Sequence, residues 1–147
     1  MKAERINNFF KVGKKYSRND VHEFYLGTPL PKVGTGNWTT GYVRPKGSDD
    51  LVIFMNIGIP GKTGHDFDNE YDSETKIVTW FGKPNAHSKQ PLFKKLLAGD
   101  LNPYFFARWD QNETNFNNLG SGLILKFIDN VQTQHGLSIK LTILLND

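Results

Sequence analysis

Between residues 38 and 145 the apolar residues come in short runs, each soon interrupted by Gly, Pro or Asn. Runs of this length match strands better than packed helices, and turn residues at this density mark repeated chain reversals. Strands are expected at Trp38–Arg44, Leu51–Ile57, Lys76–Gly82, Tyr104–Trp109, Gly122–Val131 and Leu137–Leu145. Leu51–Ile57 is almost wholly apolar and reads as a buried strand. Leu137, Ile139, Leu141 and Ile143 alternate with other side chains, the pattern of a strand with one buried face. Residues 28–37, 58–75 and 112–118 read as a Pro/Gly loop, a long polar loop and a polar turn.

Helical signals are few. Ile6, Phe9 and Phe10 share one face of a short helix over residues 3–11, ended by Gly13. Ser17 and Asp20 form a capping-box variant that opens a turn over 17–23. Pro91 fits the first turn of a helix over 89–98, with Leu92, Leu96 and Leu97 as its apolar stripe and Gly99 as its stop. Five to seven strands and two or three short helices, without βαβ alternation, predict a mainly β, α+β fold. A curved antiparallel sheet or partly closed pseudobarrel with peripheral helices is expected.

The 147 residues suit one domain, 1–147, with 1–12 as a basic N-terminal segment. No cysteine is present, which excludes disulfides, thiolate metal sites and a cysteine nucleophile and fits a reducing compartment. Mean hydropathy is −0.50, no apolar run is long enough to span a bilayer, and Met-Lys-Ala-Glu-Arg lacks the apolar stretch of a secretory leader. A cytoplasmic protein without a membrane partner is expected. No phosphate-binding GxxxxGK[ST], GxGxxG or GxSxG sequence occurs, and the four histidines show no metal-ligand spacing. No cofactor, metal or catalytic residue is assigned.

Net charge is only +3, yet it is polarised. Residues 1–18 sum to +5 and the remainder to −2. Lys83, Lys89, Lys94 and Lys95 give residues 83–95 a charge of +4 without one acid, beside His87, Ser88 and Gln90. Trp80 and Phe81 precede that segment. Cations and hydroxyls for phosphates, amides for base edges and aromatics for stacking are the components of a nucleic-acid site. Gly36-Asn37-Trp38-Thr39-Thr40-Gly41-Tyr42 offers a second loop with hydrogen-bonding and stacking groups. Arg108 lies inside the aromatic strand, where a charge needs a partner or a pocket. Residues 66–74 hold five carboxylates. Asp66, Asp68, Glu70 and Glu74 with Lys76 could form a small magnesium-dependent nuclease site, although calcium-loop spacing is absent.

The ordered set Gly13-Lys14-Lys15-Tyr16-Ser17-Arg18-Asn19-Asp20-Val21-His22, Gly36–Tyr42, Trp80-Phe81-Gly82-Lys83, Phe106-Ala107-Arg108-Trp109 and Leu119-Gly120-Ser121-Gly122 resembles DNA-reading modules of restriction endonucleases and helicase-type defence proteins. The resemblance spans roughly residues 13–128. Such modules are similar to the pseudobarrel readers of DNA, whether SRA-like, EVE/PUA-like or plant-type barrel effector domains. The resemblance implies a non-catalytic domain that binds double-stranded DNA and reads a short sequence or a modified base. Flipping that base into an aromatic pocket would cost a few kcal/mol of unstacking. It also implies a nuclease or helicase partner in cis or in trans. The Tyr-Asp-Gly signature of eukaryotic SRA domains is missing, so the base that is read stays open.

The expected DNA-binding residues are Lys14, Lys15, Arg18, Asn37, Trp38, Tyr42, Trp80, Lys83, His87, Ser88, Lys89, Gln90 and Arg108. Arg18 and Arg108 are the candidate base readers, since a guanidinium can bind guanine through two hydrogen bonds. Lys11, Lys14 and Lys15 would add phosphate attraction. The competing readings are the magnesium-dependent nuclease and a barrel that binds a protein or another ligand.

Overall fold

A computed structural model describes residues 9–30, 38, 41–57, 69–110, 112–133 and 136–146. Its elements in chain order are β1 (Lys15–Ser17), α1 (Arg18–Leu26), β2 (Tyr42–Val43), β3 (Asp50–Asn56), β4 (Glu70–Asp72), β5 (Ile77–Phe81), α2 (Pro91–Leu97), β6 (Asn102–Arg108), β7 (Asn115–Thr133) and β8 (Gly136–Leu145). The strands form one sheet in the order β2-β3-β6-β7-β8-β5-β4, and β1 pairs with β7. The expected mainly β class with short peripheral helices is present. All pairs are antiparallel except β3 and β6, which run parallel from Asp50 opposite Asn102 to Asn56 opposite Arg108. α2 lies in the crossover between them, as a parallel pair requires.

The 19-residue β7 bends the sheet. Its first part pairs with β1 and β6, and from Gly122 onward it pairs with β8. A Cβ on Gly122 would stand 2.5 Å from the Leu144 carbonyl oxygen, so only glycine allows β7 and β8 to approach this closely. The expected polar turn at 112–118 is corrected: from Asn115 the chain is already β7. Its asparagines make side-chain bonds that hold the strand. Asn117 Nδ2 donates to the Ala107 carbonyl at 3.3 Å, and Asn118 Nδ2 donates to the Phe10 carbonyl at 2.8 Å. Among the described residues of the expected 38–44 strand, Tyr42–Val43 is β2, and the 58–75 segment contains β4 near its end.

Two apolar clusters sit on opposite faces of β3. Leu51, Ile53 and Met55 point into the curve of the sheet with Val78, Trp80, Phe105, Ile139, Leu141 and Ile143, and Phe93 and Leu96 of α2 cover one side. Val52 and Phe54 point outward with Phe106 and Phe116, beneath Phe10, Val21 and Trp38. Period-2 alternation along β3 thus serves two cores, which explains its continuous apolar run. α1 covers the outer cluster. Its capping box is complete, with Asp20 N donating to Ser17 Oγ at 3.1 Å and Ser17 N donating to Asp20 Oδ2 at 2.9 Å. Gly27, at φ 75°, ends it.

β2 and β4 are the two ends of the sheet, and side chains bridge the seam near them. Buried Asn69 donates from Nδ2 to the Asn56 carbonyl at 3.3 Å and accepts from Phe81 N at 3.0 Å. Lys83 N donates to the Tyr42 hydroxyl at 3.2 Å. These bonds link the β3 side to the β5 side and leave the pseudobarrel partly closed.

Candidate nucleic-acid interface

The expected site residues separate into two groups. Tyr42, Trp80, Lys83, His87, Ser88, Lys89 and Gln90 belong to the inner side and the loop after β5. Lys14, Lys15, Arg18, Trp38 and Arg108 belong to the outer side, near the start of β7. Asn37 lies outside the described residues, as do Asp66 and Asp68.

In the first group β5 delivers the chain to the seam, and Gly82 lets it turn there. A Cβ at Gly82 would come within 3.0 Å of Phe93 and Ile139 and within 2.9 Å of Ala86. The Lys83 ammonium folds back over the Tyr42 ring, 4.6 Å from its centroid. Burial lowers the Lys83 pKa. Burial raises that of Tyr42, against a smaller opposing effect of the hydrogen bond from Lys83 N. Tyr42 meets Trp80 edge-on, with centroids 5.2 Å apart. Trp80 itself is 2% exposed among core side chains, so it supports the site from beneath and offers no stacking surface. Tyr42, half-buried, is the aromatic group that reaches the seam.

The loop that follows is fixed from a distance of 41 residues. Ser88 N and Oγ both donate to the Asp129 carboxylate near the end of β7, at 2.9 and 2.5 Å. These bonds, the side-chain one foremost, hold the Asp129 carboxyl below its ordinary range. Burial opposes them, and His87 and Lys89 add smaller attraction. Lys89 N donates to His87 Nδ1 at 3.2 Å, and His87 N donates to Gln90 Oε1 at 3.4 Å. Ser88 therefore anchors the loop, with Lys89 next to it in the chain. Asp129 is the loop anchor that sequence reasoning missed; its non-local bond to Ser88 reveals it.

In the second group, Arg108 is 4% exposed. Its Nε donates to Asn56 Oδ1 and its Nη1 to the Glu113 carbonyl, both at 2.7 Å. Burial lowers its pKa, and Asp110 and Glu113 oppose that shift. It is a structural tie between β3, β6 and the turn into β7, not an available base reader. Arg18 Nη1 donates to the Trp38 carbonyl at 3.2 Å, and its guanidinium stacks over Phe54 at 4.7 Å. Burial, and then the charge of Arg108, bring its pKa down to about 10. Trp38 is packed in the outer core with His22 against its edge. Lys15 faces Glu113 at 3.8 Å, and Lys14 is exposed. These residues sit on the side of β3 opposite Tyr42, so no single pocket gathers all of them.

The acidic hairpin of β4 and β5 borders a cleft of about 750 Å³ lined by Glu70, Asp72, Glu74, Ile77 and Thr79. Its carboxylates would repel phosphate. Asp72 Oδ1 accepts from Glu74 N and Thr75 N, so this carboxylate shapes the turn. Among the described residues no three acidic or histidine side chains form a metal-holding group.

Comparison with known proteins gives the frame for these groups. No protein-family model matches the chain, and no curated protein matches it. Solved structures do match. The SRA domain of SUVH5, in a complex with methylated CHH DNA, superposes with a TM-score of 0.54 at 14% identity, covering 93% of this chain and 89% of that one.

The fold is that of an SRA domain.

KRYPTONITE in complex with mCHH DNA gives a TM-score of 0.56 at 12% identity, over 94% of this chain and 32% of that one. Arabidopsis thaliana SUVH6 gives 0.53 at 12%, over 92% of this chain and 25% of that one. The SRA-like frame agrees with the DNA-reading pseudobarrel that the motif order resembles. No helix among the described residues is long and apolar enough to cross a membrane.

Proposed function

We propose that this chain is a non-catalytic module that binds duplex DNA and reads a modified base within it. The observation that carries the reading is the Tyr42–Lys83 pair at the seam of an SRA-like sheet, where a half-buried ring and a cation stand together. The acid-free 83–95 segment beside it supports the reading, as do the methylated-DNA complexes among the similar structures. In this function Lys83, Lys89, His87 and Gln90 contact phosphates or base edges. Tyr42 forms one wall for a base taken out of the stack, a step that costs a few kcal/mol. Arg18 holds the Trp38 carbonyl, Asn37 belongs to the second reading loop, and Lys14 adds phosphate attraction. The module would serve a restriction or other defence system, with a nuclease or helicase acting in cis or in trans.

The test is fluorescence anisotropy with duplexes that differ only in one cytosine or adenine modification, over a salt series. Tighter binding of one modified duplex and a linear fall of log affinity with log salt are expected. Equal affinity for all duplexes would remove the modified-base reading. Salt-independent affinity, or none, would remove the DNA reading.

A further inference from the structure

The outer face of the sheet formed by β4, β5, β8 and β7 carries no helix among the described residues. Cross-strand partners lie on the same face, so the register defines what this face displays. Asp72, Ile77, Leu144 and Leu123 form one row across the four strands. Glu70, Thr79, Thr142 and Lys126 form the next, and Phe81, Lys140 and Ile128 form a third. Leu123 is 65% exposed and Leu125 50%, and Leu144 and Ile128 are exposed beside them. Leu125 is the residue left over at the bulge between Ile124 and Lys126, which widens the apolar area. A contiguous apolar patch of this kind marks a contact surface, unlike single exposed leucines.

The charges on this face name the occupant. One margin is acidic, with Glu70 and Asp72 on β4. The other is basic, with Lys126 on β7 and Lys140 on β8. With strands about 4.8 Å apart, β4 and β7 are separated by roughly 14 Å, with Ile77 and Leu144 between Asp72 and Leu123, and Thr79 and Thr142 between Glu70 and Lys126. A two-fold axis along the strands, between β5 and β8, would set Glu70 on β4 over Lys126 on the other copy's β7, on both sides of the axis. Leu144 and Ile77 would then meet across the axis. The cleft over Glu70, Asp72, Ile77 and Thr79 would receive Lys126. Edge-to-edge pairing is a poorer route, because β4 is a three-residue edge bearing two carboxylates.

We infer that this face is an isologous interface with a second copy of the same chain, self-complementary in charge and closed by its own symmetry. The inference does not depend on the DNA reading.

Sedimentation of the full chain without DNA, over a concentration series, tests it. A mass approaching twice 16.7 kDa is expected for the unaltered chain. Two charge-reversed variants, K126E/K140E and E70K/D72K, should each be monomeric, since each would set like charges face to face. Mixed in equal amounts they should form a heterodimer, because acid again meets base on both sides. Circular dichroism checks that each variant is folded, and L144D supplies a second way to open the interface. A monomer at every concentration would overturn the inference and leave the face to another partner. A dimer that persists in both charge-reversed variants and in L144D would also overturn it, by placing self-association elsewhere.

Discussion

Arg18 and Arg108 share one aromatic ring: their guanidinium carbons lie 5.0 and 4.5 Å from the centroid of Phe116. Two like charges are thus held together in a largely apolar setting, and they are not equivalent. Arg108 has its Nε bond to Asn56 and its Nη1 bond to Glu113. Burial first, and then the Arg108 charge, bring the Arg18 pKa down to about 10. Arg108→Ala should cost about 3 kcal/mol, because it leaves acceptors unpaired and a gap beside Phe116. Arg18→Met should cost less, about 1 kcal/mol, because losing a buried charge opposed by its neighbour offsets part of the lost bond to the Trp38 carbonyl. Urea unfolding of the two variants checks the contrast, and equal losses would contradict it.

Asp129 gives a pH-dependent expectation. Its carboxyl titrates lower in the folded chain than in the unfolded one. Its stabilisation of the 83–90 loop is therefore complete above the ordinary aspartate range near pH 4, and fades as pH falls through the folded value. Asp129→Ala should produce the loosened loop at neutral pH. Hydrogen exchange at Ser88 N should accelerate several-fold in the variant and show little further response to acid.

Tyr42 and Lys89 should fail in different ways. Tyr42→Ala should abolish preference for a modified base while leaving plain-duplex affinity within a small factor. Lys89→Ala should weaken all duplexes alike and reduce the salt slope by about one. Anisotropy at two salt concentrations separates these outcomes.

Trp80→Ala should unfold the domain rather than alter its selectivity. Removing a buried Trp costs roughly 3–5 kcal/mol, and this one touches Tyr42, Phe93 and Phe105. A lowered melting temperature, with proportional loss of binding to every duplex, is the expected result. Unchanged melting would contradict the core assignment.

Much of the fold was legible because local chemistry and tertiary demand agree. Leu51–Ile57 reads as a buried strand because both of its faces are covered, and Ser17 with Asp20 announces α1. What was hidden is long-range. Asn115, Asn117 and Asn118 look like a turn because asparagine rarely favours strands, yet the Asn117 and Asn118 side chains find acceptors in β6 and at Phe10. Trp80 and Trp38 looked like stacking groups because an aromatic suits a core and a binding surface equally well. Ser88 looked like a phosphate contact, and its partner Asp129 stands 41 positions away. The parallel pairing of β3 with β6 has no signature in either strand.

The place of β8 in the sheet has a consequence for how the chain acquires its structure. β8 is the last element, yet it lies between β7 and β5. As the chain leaves the ribosome, β5 has only the three-residue β4 beside it until residues 136–145 emerge. The inner cluster cannot close before then, because Ile139, Leu141 and Ile143 belong to it. Folding is therefore governed by its final segment, a high-contact-order route that is slow and leaves β3 and β6 waiting with apolar faces open.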